Sequence, residues 1–334
     1  MIISQTPLRV SFFGGGTDLK EYYSINGGAV LSSTIDKYIY IIIKSRYDNL
    51  IVLNYSEREK VSDVNEIKHN IFREALKLTG ITSGVEITSI ADIPSQGSGL
   101  GSSSSFTVGL LNALYAYKGD IKSSTELAEL ACNIEINILK EPIGKQDQYA
   151  AACGGFKEYI FNPNDSVTVN KLNLSDEDYF LINSYCLMFY TGITRKASSV
   201  LSDQKDNTAS NIKNLDSLKQ FVSSGKEHVK NMNIVEIGEL LDQNWEVKKK
   251  LSNKIENTEI NKIYEIAKNS GAYGGKLLGA GGGGFFLFIC PPEKHKELRT
   301  ALQEYKELPF NFDKYGSRII LNIVDNTGFI NHKK

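Results

Sequence analysis

The sequence predicts a two-domain protein of mixed β-strands and α-helices, and three observations lead there. With 334 residues, the chain is longer than one ordinary domain. Up to about residue 180, short runs rich in β-branched and aromatic residues alternate with helical patterns. Beyond that point the texture turns polar and helical, until glycine dominates residues 271–284. These shifts place a boundary near Phe180, dividing the chain into 1–180 and 181–334.

Taken in order, residues 2–13 read as a strand running into glycines. Residues 29–44 hold the run Tyr38-Ile-Tyr-Ile-Ile-Ile43, which predicts a buried strand. Further strands are expected at 50–55 and 85–90, and an amphipathic helix at 67–78 that ends near Gly80. A helix at 102–117 follows a glycine-rich loop directly. Another is expected at 124–140, capped by Ser/Thr, with Leu127, Leu130, Ala131, Ile134 and Ile138 on one face. In the second part, 180–190 reads as a strand, 198–251 as a long helical stretch and 260–269 as a short helix. An apolar strand at 285–290 stops at Pro291-Pro292, followed by a helix at 293–305 and a last strand at 318–324. There is no internal repeat and no low-complexity linker.

Composition excludes several classes. The hydrophobic share of 41% supports a sizeable core, and a formal net charge of −1 offers nucleic acid or a membrane surface no global attraction. Cys132, Cys153, Cys186 and Cys290 make no C-x-x-C pair and sit among apolar or small residues, as reduced core cysteines do. The four histidines are scattered, so no zinc set is expected. The N-terminus has no basic segment leading into a long apolar run, and no stretch is apolar enough to span a bilayer. A cytoplasmic protein, monomeric or homodimeric, is the expectation.

Three glycine-rich segments carry most of the chemistry: Pro7-Leu-Arg9-Val-Ser-Phe-Phe-Gly14-Gly15-Gly16-Thr17-Asp18, then Pro94-Ser-Gln-Gly97-Ser98-Gly99-Leu100-Gly101-Ser102-Ser103-Ser104-Ser105, then Lys276-Leu-Leu-Gly279-Ala-Gly281-Gly282-Gly283-Gly284. Glycines admit positive φ and let backbone amides approach a ligand with no Cβ in the way. The second segment opens a helix, whose first amides lack internal partners and whose dipole favours anions. A triphosphate fits such a loop. Read alone, the segment fits a plain Gly/Ser turn with serine caps equally well. Other phosphate motifs fail: Ser102 breaks G-x-G-x-x-G, and the stretch from Gly271 to Lys276 is one residue short of a P-loop, with Leu277 where Ser or Thr is required. Protein-kinase signatures such as H-R-D and D-F-G are absent as well.

Together, in this order and spacing, the three segments resemble the GHMP kinase superfamily, over residues from about Pro7 to Gly284. A fourth segment, Gly144-Lys-Gln-Asp147 leading to Gly154-Gly155, adds to the resemblance. It implies an α+β fold in which a ribosomal protein S5 domain 2-like N-terminal domain binds ATP. A ferredoxin-like α+β C-terminal domain completes it, with the active site between the two. The implied activity is an ATP-dependent phosphotransferase with an alcohol group as acceptor. The wording is most similar to that of the D-glycero-D-manno-heptose 7-phosphate kinases and the related fucose-kinase domain. The pointers are Phe-Phe-Gly14-Gly-Gly-Thr-Asp18, Gly144-Lys-Gln-Asp147-Gln-Tyr149 and Tyr190-Thr-Gly-Ile-Thr-Arg195. The Gly-Glu-His-x-Asp segment usual in galactokinases is missing, and mevalonate kinases carry lysine where Arg9 stands. A kinase of a fucose-like or galactose-like sugar, or a non-catalytic sugar or nucleotide sensor, remains the alternative.

The resemblance also implies roles. Gly97, Ser98, Gly99, Leu100, Gly101, Ser102, Ser103 and Ser104 would hold the phosphates of ATP. Ser103 and Glu135 would hold Mg²⁺, with Glu141 competing for the second role. Asp147 would lie beside the acceptor hydroxyl and accept its proton, with Arg9 as a permanent cation at the transferring phosphoryl group. Gly15, Gly16, Thr17, Asp18, Thr191, Gly192, Arg195 and Gly282 would face the acceptor. Of these, Arg195 is the favoured partner for a distal phosphate, over Lys196, Lys37, Lys44 and Arg46. The partners are then ATP and a sugar phosphate, feeding nucleotide-activated heptose biosynthesis.

Overall fold

The computed structural model describes residues 1–93, 97–194 and 197–323. Among them, strands gather into a nine-stranded and a three-stranded sheet. In the larger, β1 (Ile2–Phe13) pairs antiparallel with the long β2 (Gly28–Ser45). Beyond β2 come β5 (Val85–Ala91), β3 (Ile51–Asn54) and β4 (Arg58–Val61), with β3 and β5 parallel. The hairpin β6 (Lys157–Phe161) and β7 (Val167–Lys171) continues from the start of β2. Five helices accompany this sheet: α1 (Lys20–Asn26), α2 (Asn70–Thr79), α3 (Ser102–Tyr117), α4 (Ser124–Cys132) and α5 (Gln146–Cys153).

In the smaller sheet, β10 (Phe285–Ile289) lies between β8 (Cys186–Tyr190) and β9 (Gly274–Leu277). The same part of the chain supplies α6 (Asp176–Ser184), α7 (Ala197–Asp206), α8 (Ile212–Lys230), α9 (Ile234–Lys249), α10 (Thr258–Asn269) and α11 (His295–Ala301); α9 packs on β9 and β10, whereas α8 packs on α9 and on β1 and β2 of the larger sheet. One face of β10 packs Phe286 and Phe288, stacked at 5.2 Å, against Trp245 and Tyr264. The chain then returns: β11 (Phe312–Asp313) pairs with β2 and β12 (Arg318–Asn322) pairs with β1. The last strand before the described residues end thus closes the edge of the first sheet.

Four expectations change. Residues 180–190 are not one strand: Ser175 and Asp178 form a capping box that starts α6, and only 186–190 is extended. The stretch 198–251 divides into α7, α8 and α9. The glycine stretch at 271–284 contains β9, whose Gly274 and Gly275 pair with Ile289 and Phe288. The helix expected at 124–140 turns into a π-helix at Asn133–Ile138, leaving Ile138 exposed and Glu135 buried. No helix among the described residues is long and apolar enough to cross a membrane.

Candidate active site

Arg9 stands near the middle of β1 and is 4% exposed. Its N–H donates to the Leu100 carbonyl at 3.0 Å, fastening the second glycine loop to the strand. Its guanidinium forks onto Asp147 in the first turn of α5, with Nε to Oδ1 at 2.7 Å and Nη2 to Oδ2 at 2.6 Å. Nη1 donates to the Gly99 carbonyl at 2.7 Å. The fixed fork of arginine suits this two-oxygen contact. One residue therefore ties strand, carboxylate and glycine loop into a single unit.

The second loop turns through Gly97, Gly99 and Gly101 with φ of 70°, 75° and 77°. The third loop passes against it backbone to backbone: a Cβ on Gly99 would sit 2.5 Å from the Leu278 carbonyl oxygen, and one on Gly279 would sit 2.5 Å from the Gly99 Cα. Gly101 is the N-cap of α3 and supplies no side-chain cap, so the helix's first amides are left for an anion. The four serines that follow are not equivalent. Ser102 shares a hydrogen bond with Ser98, Ser104 donates to Glu135 and Ser105 to the Pro7 carbonyl. Ser103 alone of the four is exposed, and its hydroxyl donates to Glu135 Oε1 at 2.7 Å. Leu100 is wholly buried, so its side chain serves the core and only its backbone reaches the loop surface.

Glu135 is 1% exposed and also accepts from Gln148 Nε2 at 2.7 Å. Burial pushes its carboxyl pKa up, as does the charge of Asp147, while Ser103, Ser104 and Gln148 pull it down. Glu141, the competing candidate, is exposed. The two candidates fit Mg²⁺ chemically: the Glu135 carboxylate and the Ser103 hydroxyl, 2.7 Å apart, are both hard oxygen donors. Among the described residues there is no cluster of three or more His, Cys, Asp or Glu that could hold a metal. This ion ordinarily draws its remaining ligands from substrate phosphates and water.

Arg9 and Asp147 line a cleft together with Gly15, Gly16 and Asp18. Asp18 accepts from the Gly16 and Gln146 amides at 3.0 and 3.2 Å. Burial first, then the nearby Asp147, raises its pKa. Thr17 does not face the cleft: it is fully buried, and its hydroxyl lies 2.7 Å from both the Gly14 and Ala29 carbonyls, to either of which its one hydrogen can donate, which locks the first glycine turn. Thr191 is likewise turned inward, donating to the Gly284 carbonyl, and neither Gly192 nor Gly282 lines the cleft. Arg195 and Lys196 lie outside the described residues. The other basic candidates are already paired, Lys37 with Asp36, Lys44 with Glu86, and Arg46 with Asp48 and Glu86.

Among the cleft residues to which the sequence assigned no role, two are charged, Lys248 on α9 and Lys276 on β9. Both left a signal. Ile234, Ile237, Leu241 and Trp245 form a buried helical stripe that Lys248 continues, and Lys276 interrupts a buried strand. A charge at a position that the pattern assigns to the core calls for an explanation.

Comparison with known proteins matches residues 65–155 to the GHMP kinases N terminal domain and residues 226–308 to the GHMP kinases C terminal domain. A D-glycero-alpha-D-manno-heptose 7-phosphate kinase of Campylobacter jejuni is 32% identical over 331 residues, covering 94% of this chain and 97% of that protein. The chain belongs to the GHMP kinase family. A crystal structure of a Bacteroides thetaiotaomicron D-glycero-D-manno-heptose 1-phosphate kinase superposes with a TM-score of 0.82 at 26% identity, covering 97% of this chain and 100% of that one. The bifunctional fucokinase/GDP-fucose pyrophosphorylase of Arabidopsis thaliana is 26% identical, covering 91% of this chain and 31% of that protein. This GHMP kinase is thus an ATP-dependent phosphotransferase with the two-domain fold of its family, and its curated relatives point to a sugar kinase.

Proposed function

We propose that this GHMP kinase transfers the γ-phosphoryl group of ATP to the C1 hydroxyl of D-glycero-D-manno-heptose 7-phosphate, giving the 1,7-bisphosphate for nucleotide-activated heptose biosynthesis in the cytoplasm. The observation that carries the chemistry is the Arg9–Asp147 fork set against the glycine loop. Phosphoryl transfer needs alignment and charge neutralisation more than covalent help. The loop from Gly97 to Ser104 holds the phosphates through backbone amides. Asp147 accepts the proton of the C1 hydroxyl, whose oxygen attacks the γ-phosphorus as ADP leaves. Arg9 fixes the Asp147 carboxylate and adds positive charge where the transferring group passes. Asp18, Gly15 and Gly16 face the sugar. Ser103 and Glu135 would hold Mg²⁺, which neutralises phosphate charge when bound. The choice of heptose rests on the similarity to the Campylobacter enzyme.

The acceptor is tested by comparing kcat/KM for heptose 7-phosphate, mannose 6-phosphate, fucose and galactose. The heptose phosphate is expected to lead. Faster turnover of an unphosphorylated sugar would overturn the assignment.

The metal role has its own test, with a readout other than turnover. Glu135→Gln should weaken Mn²⁺ binding to the ATP complex, followed by electron paramagnetic resonance, roughly tenfold or more. In the wild type, the raised pKa of Glu135 means that the carboxylate protonates at a higher pH than an ordinary glutamate, so metal affinity should fall sooner as the pH is lowered. Metal affinity unaltered by Glu135→Gln would remove that residue from the site.

A further inference from the structure

Arg9, Lys248 and Lys276 converge on one cleft from β1, α9 and β9 and are 4%, 6% and 2% exposed. Among the described residues, the lysine ammonium groups hydrogen-bond only to backbone carbonyls. Lys276 Nζ donates to Phe12 O at 2.8 Å, and Lys248 Nζ to Leu277 O at 3.1 Å and Gly279 O at 2.5 Å. Each ammonium has three donors, so donors remain on both. Among the described residues, no carboxylate forms an ion pair with either lysine, whereas Arg9 has Asp147. The charged groups around the cleft are Arg9, Asp18, Asp147 and the two lysines. Asp147 is spent on Arg9, and burial disfavours the charged form of Asp18. Charging a buried lysine without a counter-ion is costly, and a fold keeps such groups where a ligand supplies the missing charge.

We propose that Lys248 and Lys276, together with Arg9, form a subsite for a phosphate dianion in the cleft that they share with Asp147. The inference rests on the kinase assignment and not on the choice of sugar. Two phosphates of the same chemistry could fill it, the γ-phosphate of ATP or the acceptor's own phosphate. Burial, and then the charge of Arg9, holds the Lys248 pKa down to about 7, and Lys276 is pushed down by burial, Lys248 and Arg9. A dianion reverses the repulsion among the three, so filling the subsite draws in protons near neutral pH.

The experiment is calorimetry of the full chain at pH 7.5 in two buffers of different ionisation heat. The ligands are the β,γ-imido analogue of ATP, ADP, heptose 7-phosphate, mannose 6-phosphate and mannose. The wild type should take up protons with the occupant of the subsite. Lys248→Met and Lys276→Met should each weaken that occupant about tenfold or more, the loss of a charge-assisted hydrogen bond. Loss for the imido analogue but not for ADP assigns the γ-phosphate. Loss for a sugar phosphate but not for mannose assigns the acceptor's phosphate. If no sugar phosphate binds, the proposed acceptor fails, and the triphosphate arm alone judges the subsite. Wild-type heats that are the same in both buffers for every ligand overturn the proposal even if neither variant folds. Equal weakening of all ligands in folded variants overturns it too.

Discussion

Asp147→Asn should lower kcat by roughly 10²-fold or more while the affinity for ATP stays within a few-fold. The amide keeps the size of the carboxylate and one oxygen for the Arg9 fork, so the start of α5 should hold its place. What it loses is the basicity that takes the acceptor's proton and the charge that balances Arg9, which forks onto both oxygens at 2.7 and 2.6 Å. Single-turnover kinetics separates this from damage to binding: the chemical step should slow, while titration with the imido analogue of ATP gives nearly wild-type affinity. A folded Asp147→Asn protein with near-normal turnover would remove the residue from the mechanism.

Gly101→Val should abolish measurable ATP binding without unfolding the protein. Gly101 has φ of 77°, and a Cβ there would sit 3.1 Å from Arg9 Cγ and 3.3 Å from Asp147 Oδ2. Valine would therefore meet the pair that organises the cleft and narrow the path by which a phosphate reaches the first amides of α3. Left-handed backbone costs a non-glycine residue only about 1–2 kcal/mol, well within the stability of an ordinary domain. Circular dichroism should thus report a folded chain and calorimetry no heat of ATP binding. Unchanged ATP affinity in Gly101→Val would place the nucleotide elsewhere.

How much of this was legible in the sequence varied with the kind of signal. The helix at 102–117 begins and ends where the pattern placed it, because the glycine loop and the capping requirement act within a few residues. The stretch at 180–190 misled, because the apolar Phe180 and Leu181 suggest a strand while the capping box just before them starts a helix that leaves Phe180 76% exposed. Thr17 and Thr191 carry hydroxyls in glycine-rich segments, the usual setting for ligand contact. Only the fold shows those hydroxyls occupied by backbone carbonyls.

By itself the sequence determined the family, the three glycine loops, the Glu135 and Asp147 candidates and the expectation of a phosphoryl-transfer site. These follow from residue types at short, fixed spacings, where local backbone conformation and helix-end chemistry decide the outcome. Tertiary structure alone decided that Arg9 forks onto Asp147, 138 residues away, that Gly99 and Gly279 touch through their backbones, and that Lys248 and Lys276 share the cleft with both. Such meetings depend on how β1, α5, α9 and β9 pack against one another. Packing is set by burial summed over the whole core, which no local window of sequence contains.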